Sequence, residues 1–413
     1  MQGSGQTTPL PKPHRIQITP PLAPPTKIPL ERISSQRAAV GIVVSDGNPH
    51  VKNQFIFATC QIGYEPIIKK NLLADGLRFS FSRPGFLTFK LPQPQPLFEI
   101  APFANPFIRS SGFCLGKVQA ETVEQGARRV WEQVADLSFD QLHVWPRDLA
   151  RPGHRNYEPG VNDASKAATE ALRQTATSDR LTLFDQHAAG NLAQRGDRVL
   201  DCVIVDPEEW WVGAHRVDRW VQRWPGGFWS PDKEVAMISR AYLKMSEALA
   251  WVAWPVRAGQ RCVELGCAPG GASQALLERG LRVFGIDPAE VHPQIMADPN
   301  FQHVRKRSGD VRIRDFQEIQ WLTADMNIPP SDMLDEVERI VCHRANRIWG
   351  LILTLKLNDI AAADQVSAYL ERLRSWGYPR VRARQLSHNR QEVCLAGLRP
   401  PRKGRRRAFN GRR

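Results

Sequence analysis

No run of 18 apolar residues occurs anywhere in the 413-residue chain, and no apolar signal core follows Met1. A membrane-crossing helix needs about 20 such residues, so no span is expected and the chain reads as cytoplasmic. The seven cysteines, at 60, 114, 202, 262, 267, 342 and 394, are odd in number and never form a CxxC pair. That spacing excludes a zinc knuckle and a disulfide scaffold, leaves reduced thiols, and gives no reason to expect a metal site. Acidic residues are also in short supply: 42 Asp and Glu face 56 Lys and Arg, for a net charge of +14 and a pI near 9.8. The segment RPPRKGRRRAFNGRR, residues 399–413, holds eight basic side chains and no acidic one, yet without it the remainder still carries about +6. A surplus distributed that widely calls for an anionic partner, nucleic acid before an acidic membrane surface.

Proline is plentiful at the start, with eight in residues 1–33. Proline denies helices and sheets a backbone donor, so this stretch reads as an extended flexible leader. Strand, helix, strand, strand follows in FIFAT, EPIIKKNLLADG, LRFSFS and FLTFKLP, the last two around an SRPG turn. That order predicts a small ferredoxin-like α/β module over 50–100. A second region, 101–232, continues with GFCLGKV, ETVEQGARRVWEQVADL, QLHVWP and the strand pair RVLDCVIV and EWWVGAHRV. It closes on RVDRWVQRWPGGFWSPD, residues 216–232, where three tryptophans sit among three arginines. Such a mixture suits stacking on unpaired RNA bases, and equally a tryptophan-anchored linker. From 235 to 398 helices and strands alternate, beginning with the expected helix VAMISRAYLKMSEALAWVAW, which predicts a mostly parallel sheet covered on both faces. Residues 399–413 form the basic tail.

Within that last region CVELGCAPGGASQALLERGLRVFGID spans 262–287. Gly266, Gly270 and Gly271 lie between a strand and a helix, where backbone can approach a ligand and free N–H groups at a helix start can meet an anion. A Walker loop needs Gly-Lys-Ser/Thr, and no lysine is near. The dinucleotide fingerprint wants glycine where Ala268 stands, and Pro269 stiffens the loop where a pyrophosphate presses. The carboxylate of S-adenosylmethionine fits better, with Asp287 placed to accept from the ribose hydroxyls and Asp310, in SGDVRI, to face the adenine. A nicotinamide cofactor and a packing loop without ligand remain as alternatives.

Asp325 ends the strand EIQWLTAD and Lys356 ends LILTLK, so both reach the carboxyl edge of the sheet, where ligands of such folds bind. VRARQLS and EVCLAGL, joined by SHNRQ, predict an antiparallel hairpin that returns Glu392 to that edge. Lys244, in SRAYLKMSEA, approaches from the preceding helix. Singly, each reads as a solvated surface group. Together they can deprotonate a sugar hydroxyl, because two neighbouring amines discourage each other's protonation while carboxylates hold the geometry. No Asn/Asp-Pro-Pro-aromatic loop of base N-methylation is present, and Cys267 lies inside the glycine loop rather than at a substrate.

SRAYLKMSEA, LGCAPGG, TADM, LTLK and SHNRQEV, in that order, resemble the FtsJ-type ribose 2′-O-methyltransferases, and among them those acting on a cytidine of bacterial 23S rRNA. The likeness covers roughly 235–398. It implies a Rossmann-like doubly wound sheet with one antiparallel strand, S-adenosylmethionine as cofactor and RNA as partner. It also implies a catalytic tetrad of Lys244, Asp325, Lys356 and Glu392 with Lys356 as general base. Gly266, Pro269, Gly270, Gly271, Asp287 and Asp310 would be the cofactor residues. The N-terminal α+β modules resemble, more loosely, the THUMP-bearing RNA-binding region of such enzymes. A non-catalytic RNA-binding or ribosome-assembly factor keeping this fold is the rival reading.

Overall fold

The computed structural model describes residues 52–99, 103–177, 192–231, 235–357 and 360–399. The proline-rich leader and residues 400–413 of the basic tail lie outside these described residues. No helix among the described residues is long and apolar enough to cross a membrane.

The first half builds one seven-stranded sheet from β1 (Lys52–Thr59), β2 (Arg78–Arg83), β3 (Phe86–Pro96), β4 (Ser110–Gln119), β5 (Gln141–Pro146), β6 (Arg198–Asp206) and β7 (Glu209–Arg216). Their spatial order is β2-β3-β1-β4-β7-β6-β5, antiparallel throughout except for the β5–β6 pair. The boundary expected near residue 100 therefore falls inside a continuous sheet, since β4 hydrogen-bonds β1 on one side and β7 on the other. Helices Glu65–Ala74, Val123–Gln133 and Asp163–Thr175 accompany it. The last two begin on side-chain caps, Thr122 for one and the Asn162–Ser165 capping box for the other.

The second half is the expected α/β sheet. Its strands are β8 (Arg261–Leu265), β9 (Arg282–Ile286), β10 (Phe301–Val304), β11 (Trp321–Ala324), β12 (Gly350–Lys356), β13 (Arg380–Arg384) and β14 (Glu392–Leu398). The order β10-β9-β8-β11-β12-β14-β13 reverses direction outward from β8, and only β14 runs antiparallel to its neighbours. The central strand β12, GLILTLK, is buried along all but its last residue. Leu351, Leu353 and Leu355 lose all solvent contact, each contributing about 1.5–3 kcal/mol of transfer free energy. A run so nearly apolar, with Thr354 its one buried polar side chain, needs cover on both faces, and its one charged group is the terminal Lys356.

Of the elements shorter than their patterns predict, two have identifiable reasons. The helix expected from 235 begins at Ala241, because the Gln274 amide takes the backbone of the preceding stretch, accepting from Ile238 N and donating to Ala236 O. β13 stops at Arg384 because Gln385 N donates to Pro106 O, and Ser387 and His388 give their N–H groups to Glu247.

Candidate active site

Lys356 closes β12 and Glu392 opens β14, and the two are direct cross-strand partners. Asp325 follows β11 immediately, with its N–H donating to Leu265 O on β8. Strand order alone therefore brings three of the four groups to one edge. The fourth, Lys244, comes from the helix Ala241–Val252. Its sequence is rich in good helix formers, and its buried Tyr242, Met245, Leu249 and Val252 repeat every three or four residues.

The four side chains form a closed ring of charges. Lys356 Nζ donates to Asp325 Oδ1 at 3.1 Å and to Glu392 Oε1 at 2.5 Å. Lys244 Nζ donates to Asp325 Oδ2 and to both Glu392 oxygens, at 3.3 Å each. Each lysine thus bridges both carboxylates. Side-chain exposure runs only from 11% to 19%, which keeps the electrostatics strong while leaving the ring reachable. Burial pulls the Lys356 pKa down, but the Asp325 and Glu392 carboxylates outweigh it and hold the amine above its ordinary value of 10.5. Burial likewise pushes Glu392 up, and the two lysines outweigh it to leave Glu392 below its ordinary 4.5. Mutual repulsion between the lysines, expected from sequence to leave an amine neutral, is therefore overcome by the carboxylates: Lys356 rests protonated.

The glycine loop lies beside this ring. Gly266 has φ +81°, and a Cβ there would meet Asp325 O at 2.7 Å and Met326 Cγ at 2.9 Å. A side chain at 266 would push against the backbone that carries Asp325, so this glycine serves the ring of charges as well as the loop. Gly271 opens the helix Gly271–Glu278, and its Cβ would fall 2.2 Å from Ser239 Oγ, a buried hydroxyl with no hydrogen-bond partner. First-turn N–H groups lack intrahelical acceptors. They make a donor set that suits a small carboxylate. Asp287 follows β9 and accepts from Ala268 N at 3.1 Å and Ala289 N at 2.8 Å, one bond per oxygen, which leaves each oxygen further capacity. Pro269 and Gly270 complete the loop. Asp310 ends a short turn after β10 and is exposed. The residues present fit S-adenosylmethionine, the cofactor this domain implies.

Several supporting groups escape a reading by strand ends. Glu264, inside β8, is fully buried and accepts from Ser273 Oγ at 2.5 Å. Burial raises its pKa to about 8 against that hydrogen bond, and nearby Asp325 and Asp287 add to the rise. Glu247, one helical turn beyond Lys244, accepts from Ser387 N at 2.8 Å and His388 N at 3.0 Å, tying the β13–β14 connection to the helix that carries Lys244. Asn389 Nδ2 donates to Glu392 Oε2 at 3.3 Å, while Asn389 O accepts from Gln61 of the first sheet's region at 2.6 Å. The signal for Glu247 and Asn389 lies within the quoted blocks SRAYLKMSEA and SHNRQEV, and for Glu264 in a lone acid inside an apolar strand.

A parallel sheet with one reversed strand, a glycine loop after its first strand and an acid after its second define an S-adenosylmethionine-dependent methyltransferase fold. Residues 237–363 match the model of the FtsJ-like methyltransferase family. This stretch is therefore similar to the FtsJ-like methyltransferases. The chain as a whole is similar to proteins named ribosomal RNA large subunit methyltransferase M. That of Azoarcus sp. (strain BH72) is 27% identical over 366 residues, 82% of this chain and 94% of that protein. That of Aromatoleum aromaticum is 29% identical over 54% of this chain and 64% of that protein, and that of Chromohalobacter salexigens 34% identical over 38% and 46%. With these last two the match spans roughly half to two-thirds of the relative.

Proposed function

We propose that the protein transfers a methyl group to a ribose 2′-hydroxyl of RNA, most plainly a cytidine of large-subunit ribosomal RNA, through Lys244, Asp325, Lys356 and Glu392. The observation that carries this reading is the two-by-two ring of amines and carboxylates at the carboxyl edge of the sheet, beside Gly266. S-adenosylmethionine, when bound, supplies a methyl on a positively charged sulfur. The Gly270–Gly271 amides and Asp287 would hold it, with Asp310 toward its adenine.

A ribose hydroxyl is a poor nucleophile until its proton leaves, and in this reading Lys356 Nζ takes it. Asp325 and Glu392 fix that amine from two sides, and Lys244 holds both carboxylates from the other, so the geometry does not depend on one contact. Lys356 must first lose its own proton. Any further positive charge brought beside it lowers its pKa toward the working range, and the resting bias toward the charged form makes the rate depend on pH. In-line approach then needs the hydroxyl within about 3–3.5 Å of the reacting carbon. The basic surface would hold phosphates without choosing bases.

The names of the similar proteins support the ribosomal substrate, and the first sheet with its helices would position the RNA. Mapping ribose methylation in ribosomal RNA with and without the gene tests the reading. One 2′-O-methyl mark in the large-subunit RNA should disappear; an unchanged map would refute the substrate.

A further inference from the structure

Between the first sheet's loops and the methyltransferase domain lies a cavity of about 590 Å³. Four arginines line it: Arg219 from the tryptophan-rich segment, Arg374 from the helix Val366–Ser375, and Arg382 and Arg384 from the edge strand β13. No carboxylate is among its lining residues, and Trp220 and Trp251 are. Arg374 pairs with Glu371. Arg384 donates to Arg109 O at 2.7 Å and Arg219 to Phe103 O at 3.0 Å, but both hydrogen bonds go to neutral carbonyls. Among the described residues Arg219, Arg382 and Arg384 make no ion pair. Arg109, whose carbonyl accepts from Arg384, is already committed to Asp148 by two bonds at 2.7 and 2.9 Å. Burial lowers the Arg384 pKa to about 10; Glu247 opposes this, and Arg219 and Arg109 add to it. A half-buried guanidinium with cations beside it attracts a further anion.

The tryptophan-rich segment divides at this cavity. Trp224 is buried, and Gly226 and Gly227 press against Trp145 and Arg109, where a Cβ would come within 2.6 and 2.7 Å. That portion is a packed linker. Arg219 lines the cavity, as does the half-buried Trp220, whose ring centroid lies 4.7 Å from that of Trp224. The cavity also lies near the chemistry. Arg384 pairs with Cys394, two residues along β14 from Glu392, so their Cα atoms are about 8 Å apart by strand geometry.

We propose that this cleft is a docking site for the backbone phosphates of unpaired RNA, held by Arg219, Arg382 and Arg384 with a neighbouring base against Trp220. The inference rests on the RNA reading above and deepens it: the phosphates position the strand, and the tetrad, a strand away, receives the ribose.

The test uses the full chain and a fluorescein-labelled, unpaired oligoribonucleotide of mixed sequence, with affinity measured by anisotropy across a series of salt concentrations. Arg219→Ala, Arg382→Ala and Arg384→Ala should each flatten the slope of log affinity against log salt by about 0.7, the value for one phosphate contact on a single strand. Trp220→Ala should weaken binding about fivefold or more and leave the slope unchanged, because stacking releases no counterions. Arg384→Lys should keep the wild-type slope. Arg382 is exposed on an edge strand, so its variant decides the matter even if Arg384→Ala fails to fold. Unchanged slopes in the arginine variants, with wild-type protein binding the RNA, would overturn the cleft and leave the methyltransferase reading standing. Wild-type protein that does not bind the RNA at all would remove both.

Discussion

Replacing Lys356 by methionine keeps the aliphatic stem and deletes one of two cations from a ring of two and two. Lys244 still bridges Asp325 and Glu392, so one carboxylate is left in excess rather than two. Breaking a fully buried pair costs about 3–5 kcal/mol. With a second cation in place and side chains 11–19% exposed, the stability loss should shrink to about 1–2 kcal/mol, a few degrees in the unfolding midpoint. The rate loss should be much larger, about 10²–10⁴-fold, the usual worth of a positioned base. Single-turnover transfer with enzyme in excess separates chemistry from release, and calorimetry with S-adenosylhomocysteine reads the cofactor site, which Lys356 does not touch. Lys356→Arg adds a sharper contrast: it restores charge but cannot deprotonate at accessible pH, so stability should recover and rate should not. A Lys356→Met rate within tenfold of wild type would refute the base assignment. A parallel collapse of cofactor affinity would show that the lysine acts through the glycine loop.

Because the carboxylates hold Lys356 above 10.5, its neutral fraction grows about tenfold per pH unit below that value, and the single-turnover rate should climb across pH 7–10 without a plateau. Asp325→Asn removes one of the raising charges and should move the profile toward lower pH, whatever it does to the maximum. Glu264 has a folded pKa of about 8 against an ordinary 4.5, so the stability it contributes is fully present below pH 4.5 and is lost as pH rises to 8. Glu264→Gln should match wild type near pH 4.5 and exceed it by about 2–4 kcal/mol at pH 8.5 in denaturant unfolding; equal stabilities at both would contradict the buried neutral acid. Glu247→Gln replaces an acceptor that holds Ser387 and His388 N–H groups with a weaker one. It should lower the transfer rate roughly tenfold by loosening Glu392, with cofactor affinity intact.

The fold of the second half was legible because β12 and β8 are apolar runs flanked by helices, and because a hairpin after β12 must bring Glu392 back to the edge that Lys356 reaches. The charge state at that edge was not legible. Two lysines in sequence look self-repelling, and only the distances to Asp325 and Glu392 decide that the carboxylates win. Glu247 carries no periodic signal that separates a buried acid from a solvated one, and Glu264 stands out only as a lone acid in an apolar strand. The SRAYLK segment looks helical from residue 235, yet a glutamine 36 residues beyond Ile238 takes the backbone of its first turn. In the tryptophan-rich segment the linker reading describes Trp224, which packs, while Arg219 and Trp220 line a cleft whose other walls include chain more than 140 residues downstream.

Nucleoside mass spectrometry of ribosomal RNA after reaction with the wild-type protein and isotopically methyl-labelled S-adenosylmethionine tests the tetrad chemistry most directly. Label recovered in 2′-O-methylcytidine, and absent with Lys356→Met, is the predicted result. Label recovered in a base-methylated nucleoside, or in none, would contradict it.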